Sequence, residues 1–416
     1  MQFLYNFSIF LFGIVVQLAS IFNSKAKKWI DGRKDWKNTL PKIDGNRDVI
    51  WFHCASLGEF DQGLPVMKEW KRQHPEDRIL VTFFSPSAML HYHKRNHCAD
   101  YVLYLPLDTP SNALFFIDHF LPKAIFFVKY EFWANYISYA HKRKIPVYSI
   151  ATILRKNQHF FKWYGAFFRG VLKKISYFYV QNEESFQLLH SIGVNECQVV
   201  GDTRFDSVLE TKNLFLNQIK EGHLDEDWIK LKTFLEGKKA IIIGSSWPAE
   251  ERLIIPYILE NKQLKFILAP HDISNQHITK IEQGLGDSCV RFTHFNEINN
   301  SVNCLILDTI GHLSKAYYFG EIALIGGGFS GKLHNILEPA VFGLPVLFGP
   351  NHTKFPEANL FLKNQIAFEF KDENEMENKL NLLIQENPIL SSEIKNFIAS
   401  QSGAALKIIS SLRIGS

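Results

Sequence analysis

The chain has 416 residues, 46% of them hydrophobic, which is ample for two cores of ordinary domain size. Its five cysteines (Cys54, Cys98, Cys197, Cys289, Cys304) are odd in number and contain no C-x-x-C pair; this argues against a disulfide framework or a zinc site and fits a reducing compartment. The net charge of +4 is uneven, because residues 1–210 hold 26 Lys+Arg against 19 Asp+Glu while the remainder carries −3, and no repeat of solenoid length is present.

The N-terminus reads MQFLYNFSIFLFGIVVQLASIFNSKAKKWIDGRKDW. Residues 2–22 are mostly apolar and uncharged, and about 20 such residues span a bilayer. Asn6, Ser8 and Gln17 make the span a mediocre one. Lys25, Lys27, Lys28, Arg33 and Lys34 follow at once, and positive charge on that side predicts that the rest of the chain stays in the cytoplasm. A cleaved signal peptide carries its charge before the apolar stretch, where this chain has none. The expectation is a retained anchor or interfacial helix over residues 1–23, with a buried N-terminal helix as the alternative.

Residues 48–53, DVIWFH, predict a strand, and HCASLGEFDQG overlaps its end. The chain turns through Ser56-Leu57-Gly58 and opens a helix that carries Glu59 in its first turn. A helix N-terminus has partial positive charge, so an acid there is ordinary. Crevices at strand carboxyl ends are also where open α/β sheets do their chemistry, which makes Glu59 a candidate for function.

Further strands are predicted at RILVTFF (78–84), YVLYL (101–105), AIFFV (124–128), IPVYSI (145–150) and YFYVQ (177–181). Helical patterns lie between most of them, the βαβ signature of a parallel, helix-covered sheet. Residues 121–175 hold eleven Lys/Arg and one acid, Glu131, with aromatics interleaved in KAIFFVKYEFW and LRKNQHFFKWYGAFFRGVLKK. Solvated helix faces account for many charge runs. Phe and Trp beside the charges favour a surface for an anionic, partly greasy partner. Single-stranded nucleic acid likes the same mixture, but no recognised nucleic-acid module accompanies it, so no nucleic-acid partner is expected. VVGDTRFD (199–206) closes the first half, and residues 207–237 suit a charged, helical connector.

The pattern then restarts. KAIIIGSSW (239–247), LKFILAPH (264–271), CLILDTIGHL (304–313), EIALIGGGFSGKLHNILEPA (321–340) and LPVLFGP (344–350) predict a second α/β domain. The expected organisation is an anchor (1–23), a first Rossmann-like domain (24–206), the connector (207–237), a second Rossmann-like domain (238–400) and a closing helix (401–416). Two such domains facing a cleft form the GT-B arrangement, although periodicity alone does not separate it from other paired α/β folds. Gly326-Gly327-Gly328 follow a strand, so backbone can approach a ligand closely. A helix opening near His334-Asn335 would offer free N–H groups to a phosphate, and Glu338 one turn in could accept both hydroxyls of a ribose. A glycine-rich turn before an ordinary helix is the plainer reading. The string is neither a P-loop nor a G-x-G-x-x-G fingerprint.

Taken together, HCASLGEFDQG, PLD (106–108), KYEFWANYI (129–137), GDTRFD (201–206), GSSWPAEE (244–251), APH (269–271), DTIGHL (308–313), GGGFSGKLHNILEPA and GLPVLFGPNHTKF resemble the 3-deoxy-D-manno-octulosonate (Kdo) transferases of lipopolysaccharide synthesis. The resemblance runs in order from the N-terminal anchor to about residue 360. It implies an inverting transfer of Kdo from CMP-Kdo to a hydroxyl of the lipid A precursor (lipid IVA), on the cytoplasmic face of the inner membrane, with no metal and no cofactor. It also implies that Glu59 is the general base and that Glu131 and Arg204 stabilise the transition state, Arg204 standing where the family usually has Lys. The CMP contacts map to Pro270, His271, Ile310, Gly311, His312, Asn335, Ile336, Leu337 and Glu338. The family often has Arg-His after the proline, where this chain has His271-Asp272, and Met-Gly-Glu where it has Ile310-Gly311-His312. Plain roles exist for several of these residues: Glu131 as a helix-start acid, Arg204 paired with Asp202 or Asp206, His271 and His312 as loop histidines. The rival functions are another membrane-associated GT-B glycosyltransferase with a different nucleotide-sugar, and an anchored binding protein without catalysis.

Overall fold

A computed structural model describes residues 1–43, 45, 47–222, 225–295 and 302–412. Residues 413–416 of the expected closing helix and 223–224 of the expected connector lie outside the described residues. In chain order the first part comprises α1 (Gln2–Ala19), α2 (Ser24–Asp31), β1 (Val49–Cys54), α3 (Leu57–Gln73), β2 (Arg78–Phe83), α4 (Pro86–His91), β3 (Tyr101–Tyr104) and α5 (Pro110–Phe120). It continues with β4 (Ala124–Val128), α6 (Ala134–Lys142), β5 (Val147–Thr152), α7 (Ala166–Leu172), β6 (Tyr177–Val180), α8 (Glu183–His190) and β7 (Cys197–Val199). Then come α9 (Arg204–Lys220), α10 (Glu226–Leu235), β8 (Ala240–Ser246), α11 (Pro248–Glu260), β9 (Lys265–Pro270), α12 (Asn275–Leu285), β10 (Cys289–Arg291) and β11 (Cys304–Ile306). The last elements are α13 (Leu313–Ala316), β12 (Gly320–Ile325), α14 (Leu337–Ala340), β13 (Val346–Phe348), α15 (Pro356–Lys363), β14 (Ala367–Glu369), α16 (Glu373–Gln401) and α17 (Ala404–Ser411). The chain divides into two compact units, Met1–Ser207 with Gln401–Ser416, and Val208–Ser400.

The sheet of the first unit runs β3-β2-β1-β4-β5-β6-β7, all parallel. Both of its faces are covered, so alternate residues of one strand enter opposite cores. Val49 and Trp51 pack with Phe116, Phe127 and Tyr136, whereas Ile50, Phe52 and Cys54 pack with Phe60, Met67 and Trp70 of α3. Parallel strands buried in this way are apolar throughout, which is why they are visible in the sequence as unbroken runs. Each fully buried Phe contributes about 1.5–3 kcal/mol. α17 joins this unit and adds Ala405, Ile408 and Ile409 to the core that contains α3. Asp206 fastens it by accepting the backbone N–H groups of Gly403 (2.5 Å) and Ala405 (3.0 Å).

α1 lies along the first unit with one stripe inward. Tyr5 Oη donates to Asp108 Oδ2 (2.6 Å), Gln2 Nε2 donates to Asn135 Oδ1 (2.9 Å), and Asn135 Nδ2 donates to Asn6 Oδ1 (3.0 Å). Asp108, the acid of the PLD stretch, also accepts the first N–H groups of α6, from Asn135 and Tyr136. The opposite stripe, with Phe3, Leu4, Phe7, Phe10, Leu11, Val15 and Leu18, is exposed, and Ile9 is the buried residue of the helix. A buried N-terminal helix is therefore not what forms. Among the five cations that follow, Arg33 turns inward: it lies 3.8 Å over the Trp29 ring and donates to the carbonyls of Leu105 (2.8 Å) and Phe84 (2.9 Å). Burial lowers its pKa to about 9.

The second unit repeats the architecture. Its sheet runs β10-β11-β9-β8-β12-β13-β14, again all parallel. β8 and β9 are buried almost throughout against Ile254, Tyr257, Ile258, Ile278 and Leu383.

Candidate active site

In the first unit the strand order reverses between β1 and β4. Ligands of open α/β sheets bind outside the carboxyl ends of the strands at such a point. β1 delivers Glu59 to it, and β4 delivers Lys129 and Glu131. Ser56 caps α3 by accepting the Glu59 N–H at Oγ (3.4 Å), and Glu59 Oε2 accepts the N–H of Ala55 (2.5 Å). Glu59 is thus a helix-start acid in full. It is also 7% exposed, and burial followed by the charge of Glu131 pushes its pKa up to about 7, against the pull of Lys129 and the backbone N–H groups. Burial raises Glu131 as well. The helix-start position leaves the Glu59 carboxylate buried beside the charge of Glu131.

The sequence pattern gives Lys129 no role of its own, although it falls in the basic stretch and opens KYEFWANYI (129–137). Its φ of +65° is in the left-handed region, a conformation that costs a residue with a side chain roughly 1–3 kcal/mol. Two hydrogen bonds hold it there: its N–H donates to Ile150 O (2.9 Å), and Ser149 Oγ donates to its carbonyl (3.2 Å). The signal available was a strand that ends on a cation two residues before the lone acid. A buried histidine braces the same loop. His53 Nε2 accepts from Trp133 Nε1 (3.0 Å), and His53 Nδ1 bonds Thr82 Oγ1 (2.9 Å), which also accepts from Trp51 Nε1 (2.8 Å). Burial lowers the His53 pKa to about 3, so it is a neutral strut.

Arg204 takes the plain pairing expected for it. Its Nε and Nη2 donate to Asp202 Oδ2 (2.9 and 2.7 Å), and its N–H to Asp202 Oδ1 (3.0 Å). The neighbouring Thr203 hydroxyl donates to the carbonyl of Gln62 (2.6 Å), one turn beyond Glu59. The GDTRFD stretch is thereby tied to the start of α3.

In the second unit the order reverses between β8 and β12. Here Ser245 has φ +52°, and three rings gather. Trp247 stacks on His271 (centroids 4.6 Å, 11° between planes), His271 lies 4.7 Å from His334, and Trp247 Nε1 donates to His334 Nε2 (3.2 Å). Lys332 Nζ stands 5.2 Å over the Trp247 ring. Burial and the neighbouring His271 lower the pKa of His334. The sequence pattern gives Trp247 and Lys332 no donor-site role, although Trp247 stands in the GSSWPAEE stretch, and it offers a phosphate only the main chain near His334 and not its ring.

The glycine run serves backbone packing. A Cβ at Gly326 would sit 2.1 Å from the Ser245 carbonyl oxygen, and one at Gly327 (φ +88°) would sit 2.1 Å from that of Lys332. The N–H groups of Gly327 (2.9 Å) and Phe329 (3.4 Å) donate to Glu250 Oε1, while Glu250 Oε2 accepts from Trp247 N (3.2 Å). A buried carboxylate therefore occupies N–H groups of the glycine loop, where close approach of backbone to a ligand was expected. The helix expected near His334-Asn335 is the single turn α14, because residues 326–336 fold back first: Lys332 N donates to Gly327 O (2.9 Å) and His334 N to Gly326 O (3.2 Å).

The remaining donor candidates occupy loops at the same carboxyl edge. Pro270 ends β9 beside His271. Ile310 is 85% exposed and Gly311 has φ +99°. His312 packs at a tilt against Phe292 (centroids 5.0 Å, 37° between planes), and its Nδ1 lies 3.4 Å from Asp227 Oδ2 without hydrogen-bond geometry. Among the described residues Thr309 Oγ1 is likewise buried without a hydrogen-bond partner, so this loop has two polar atoms that a ligand or water could satisfy. Asn335 Nδ2 donates to Glu338 Oε1 (2.9 Å), and the side chains of Ile336 and Leu337 are fully buried. Among the described residues no group of three His, Cys, Asp or Glu is placed to hold a metal ion.

Two doubly wound parallel sheets with polar groups collected at each switch point define the GT-B class of glycosyltransferase architecture. A UDP-GlcNAc 2-epimerase from Neisseria meningitidis, solved with UDP-GlcNAc, shares the fold at a TM-score of 0.61 and 18% identity, covering 88% of this chain and 98% of that one. The MurG structure from Acinetobacter baumannii does so at 0.51 and 12% identity, with coverage of 88% and 98%. A family model described as 3-Deoxy-D-manno-octulosonic-acid transferase (kdotransferase) matches residues 32–207. The 3-deoxy-D-manno-octulosonic acid transferase of Aquifex aeolicus (strain VF5) is 30% identical over 369 residues, 86% of this chain and 93% of that protein. The chain belongs to the Kdo transferase family, and it is a glycosyltransferase.

Proposed function

We propose that the enzyme transfers Kdo from CMP-Kdo to a hydroxyl of the lipid A precursor in lipopolysaccharide synthesis, with inversion at the anomeric carbon. The observation that carries this reading is Glu59, held at the switch point of the first unit with its pKa raised to about 7. A general base works best with a pKa near the operating pH. Glu59 takes the proton of the acceptor hydroxyl as its oxygen attacks the anomeric carbon. The bond from that carbon to the phosphate oxygen breaks, and CMP leaves with the electron pair. Glu131 faces the positive charge that develops on the sugar, and Arg204, oriented by Asp202, stabilises the departing phosphate.

Unit 2 holds the donor. His271, with Trp247 and His334, offers a ring surface to the base beside Pro270. Ile310, Gly311 and His312 line the next loop. Asn335 and Glu338 present polar groups to the ribose, and Ile336 and Leu337 act through their main chain. The acceptor is a phosphorylated, acylated disaccharide, which suits the basic, aromatic-laced first unit. We further propose that α1 lies in the plane of the inner membrane on its cytoplasmic face. Polar side chains pin one stripe to the protein while the other is apolar, as an interfacial helix requires. Wild type should then float with vesicles of anionic phospholipid, and a Phe7→Asp/Phe10→Asp variant should not; equal flotation of the two would remove this part of the reading.

The deciding experiment incubates detergent-solubilised protein with CMP-Kdo and tetra-acylated lipid A precursor and weighs the lipid by mass spectrometry. Wild type is expected to add Kdo, and Glu59→Gln to add almost none while binding CMP normally. No transfer by wild type would sink the substrate assignment; full activity of Glu59→Gln would sink the base.

A further inference from the structure

The second unit has another charged recess, at the sheet edge opposite the donor residues. Lys239 precedes β8, Glu321 is the second residue of β12, and Phe342 precedes β13. With Tyr318, Lys212 of α9 and Lys395 of α16 they line a cavity of about 620 Å³. β8 is seven residues long, so at about 3.3 Å per residue this edge is roughly 20 Å from Trp247.

Three ammonium groups face this cavity against one carboxylate. Lys212 Nζ donates to the Val341 carbonyl (2.8 Å) and lies 5.9 Å over the Phe342 ring. Lys239 Nζ is 3.4 Å from the Tyr318 carbonyl and 5.7 Å over that ring. Each ammonium has three donors, and these contacts use one apiece. Among the described residues Lys395 has neither a hydrogen-bond nor an ion-pair partner. Burial, and then the proximity of Lys395, lower the proton affinity of both Lys212 and Lys239. Burial raises the pKa of Glu321, against the pull of Lys239. Like charges crowded into a half-buried recess are unfavourable, and a bound anion relieves the repulsion.

We propose that this cavity is a binding site for a small, multiply charged phosphate-bearing molecule, separate from the donor site. Its volume is within the roughly 300–1,000 Å³ of small-molecule pockets. Lysine ammoniums are compact point charges suited to phosphate, and the Tyr318 and Phe342 rings give the cavity apolar walls. Because Lys212, Lys239 and Lys395 come from α9, the start of β8 and α16, the ligand clamps three elements of the unit at once. Its binding therefore raises the melting temperature.

Calorimetric titration of the full-length protein with inorganic pyrophosphate, in saturating CMP so that the donor site is filled, tests the proposal. The expected result is binding that survives CMP, an increase in melting temperature, and an affinity at least about tenfold weaker in Lys395→Met and in Lys239→Met. Both lysines are exposed, and an unliganded melt at the wild-type temperature confirms that each variant is folded. No pyrophosphate binding in the presence of CMP, or equal affinity in wild type and both folded variants, overturns the proposal.

Discussion

The two switch points are built alike and equipped differently. At each, a residue with a side chain adopts the left-handed region where a strand ends, Lys129 in the first unit and Ser245 in the second. Each also holds a buried glutamate within reach of backbone N–H groups. Glu250 accepts three of them, from Trp247, Gly327 and Phe329. Glu59 faces Glu131 and sits with its pKa near 7. A carboxylate saturated with N–H donors is a brace; one desolvated beside a like charge is ready to take a proton near neutral pH. The contrast favours placing the proton chemistry in the first unit and donor recognition in the second.

The sharpest way to break that division is Glu59→Gln. Loss of a carboxylate base should lower kcat by about 10²–10⁴-fold. Calorimetric CMP affinity should be unchanged, and a parallel loss of CMP binding would erase the division. Next comes Gly327→Ala, where φ is +88° and the added Cβ would meet the Lys332 carbonyl at 2.1 Å. The second unit should lose roughly 2–4 kcal/mol, read as an earlier urea midpoint, with the first unit unaffected. An unshifted midpoint would mean that the loop relaxes freely. Trp247→Ala is expected to be milder, weakening CMP by the ~1–3 kcal/mol of one base stack and sparing kcat at saturating donor. A fall in kcat without a change in CMP affinity would move Trp247 out of the recognition role.

How much of this was legible in the sequence depended on distance along the chain. The central strands were visible because burial on both faces makes them continuous apolar runs. β10 (Cys289–Arg291) and β14 (Ala367–Glu369) were not; they are three-residue edge strands with no room for a pattern. A pairing of Arg204 with Asp202 or Asp206 was legible, each being two residues away, and the fold gives it Asp202 while Asp206 binds the start of α17. The grouping of Glu59 with Lys129 and Glu131 was not readable from local pattern, since it depends on β1 lying beside β4 across about seventy residues. Nothing in the local pattern of GSSWPAEE gives Glu250 a role, and only the fold shows that it fills N–H groups of the glycine loop. Glycines in a row look the same whether a phosphate or a neighbouring strand requires them.

The smallest expected effect is the most specific to the first switch point, because it separates the neighbours of Glu59 by sign. A base with its pKa raised to about 7 holds its proton below that pH, so kcat/KM should fall as pH drops through 7. Glu131 raises that pKa and Lys129 lowers it. Glu131→Gln removes a negative neighbour, makes ionisation of Glu59 easier, and should move the acidic limb to lower pH. Lys129→Met removes a positive neighbour and should move the limb to higher pH. Only the position of the limb is read in each variant, not the height of the plateau. A merely structural role for either residue would lower the plateau and leave the limb in place. Shifts of the same sign in both variants would show that the carboxylate titrating in the profile is not Glu59, and the base would then have to be sought among the other buried acids of the first unit.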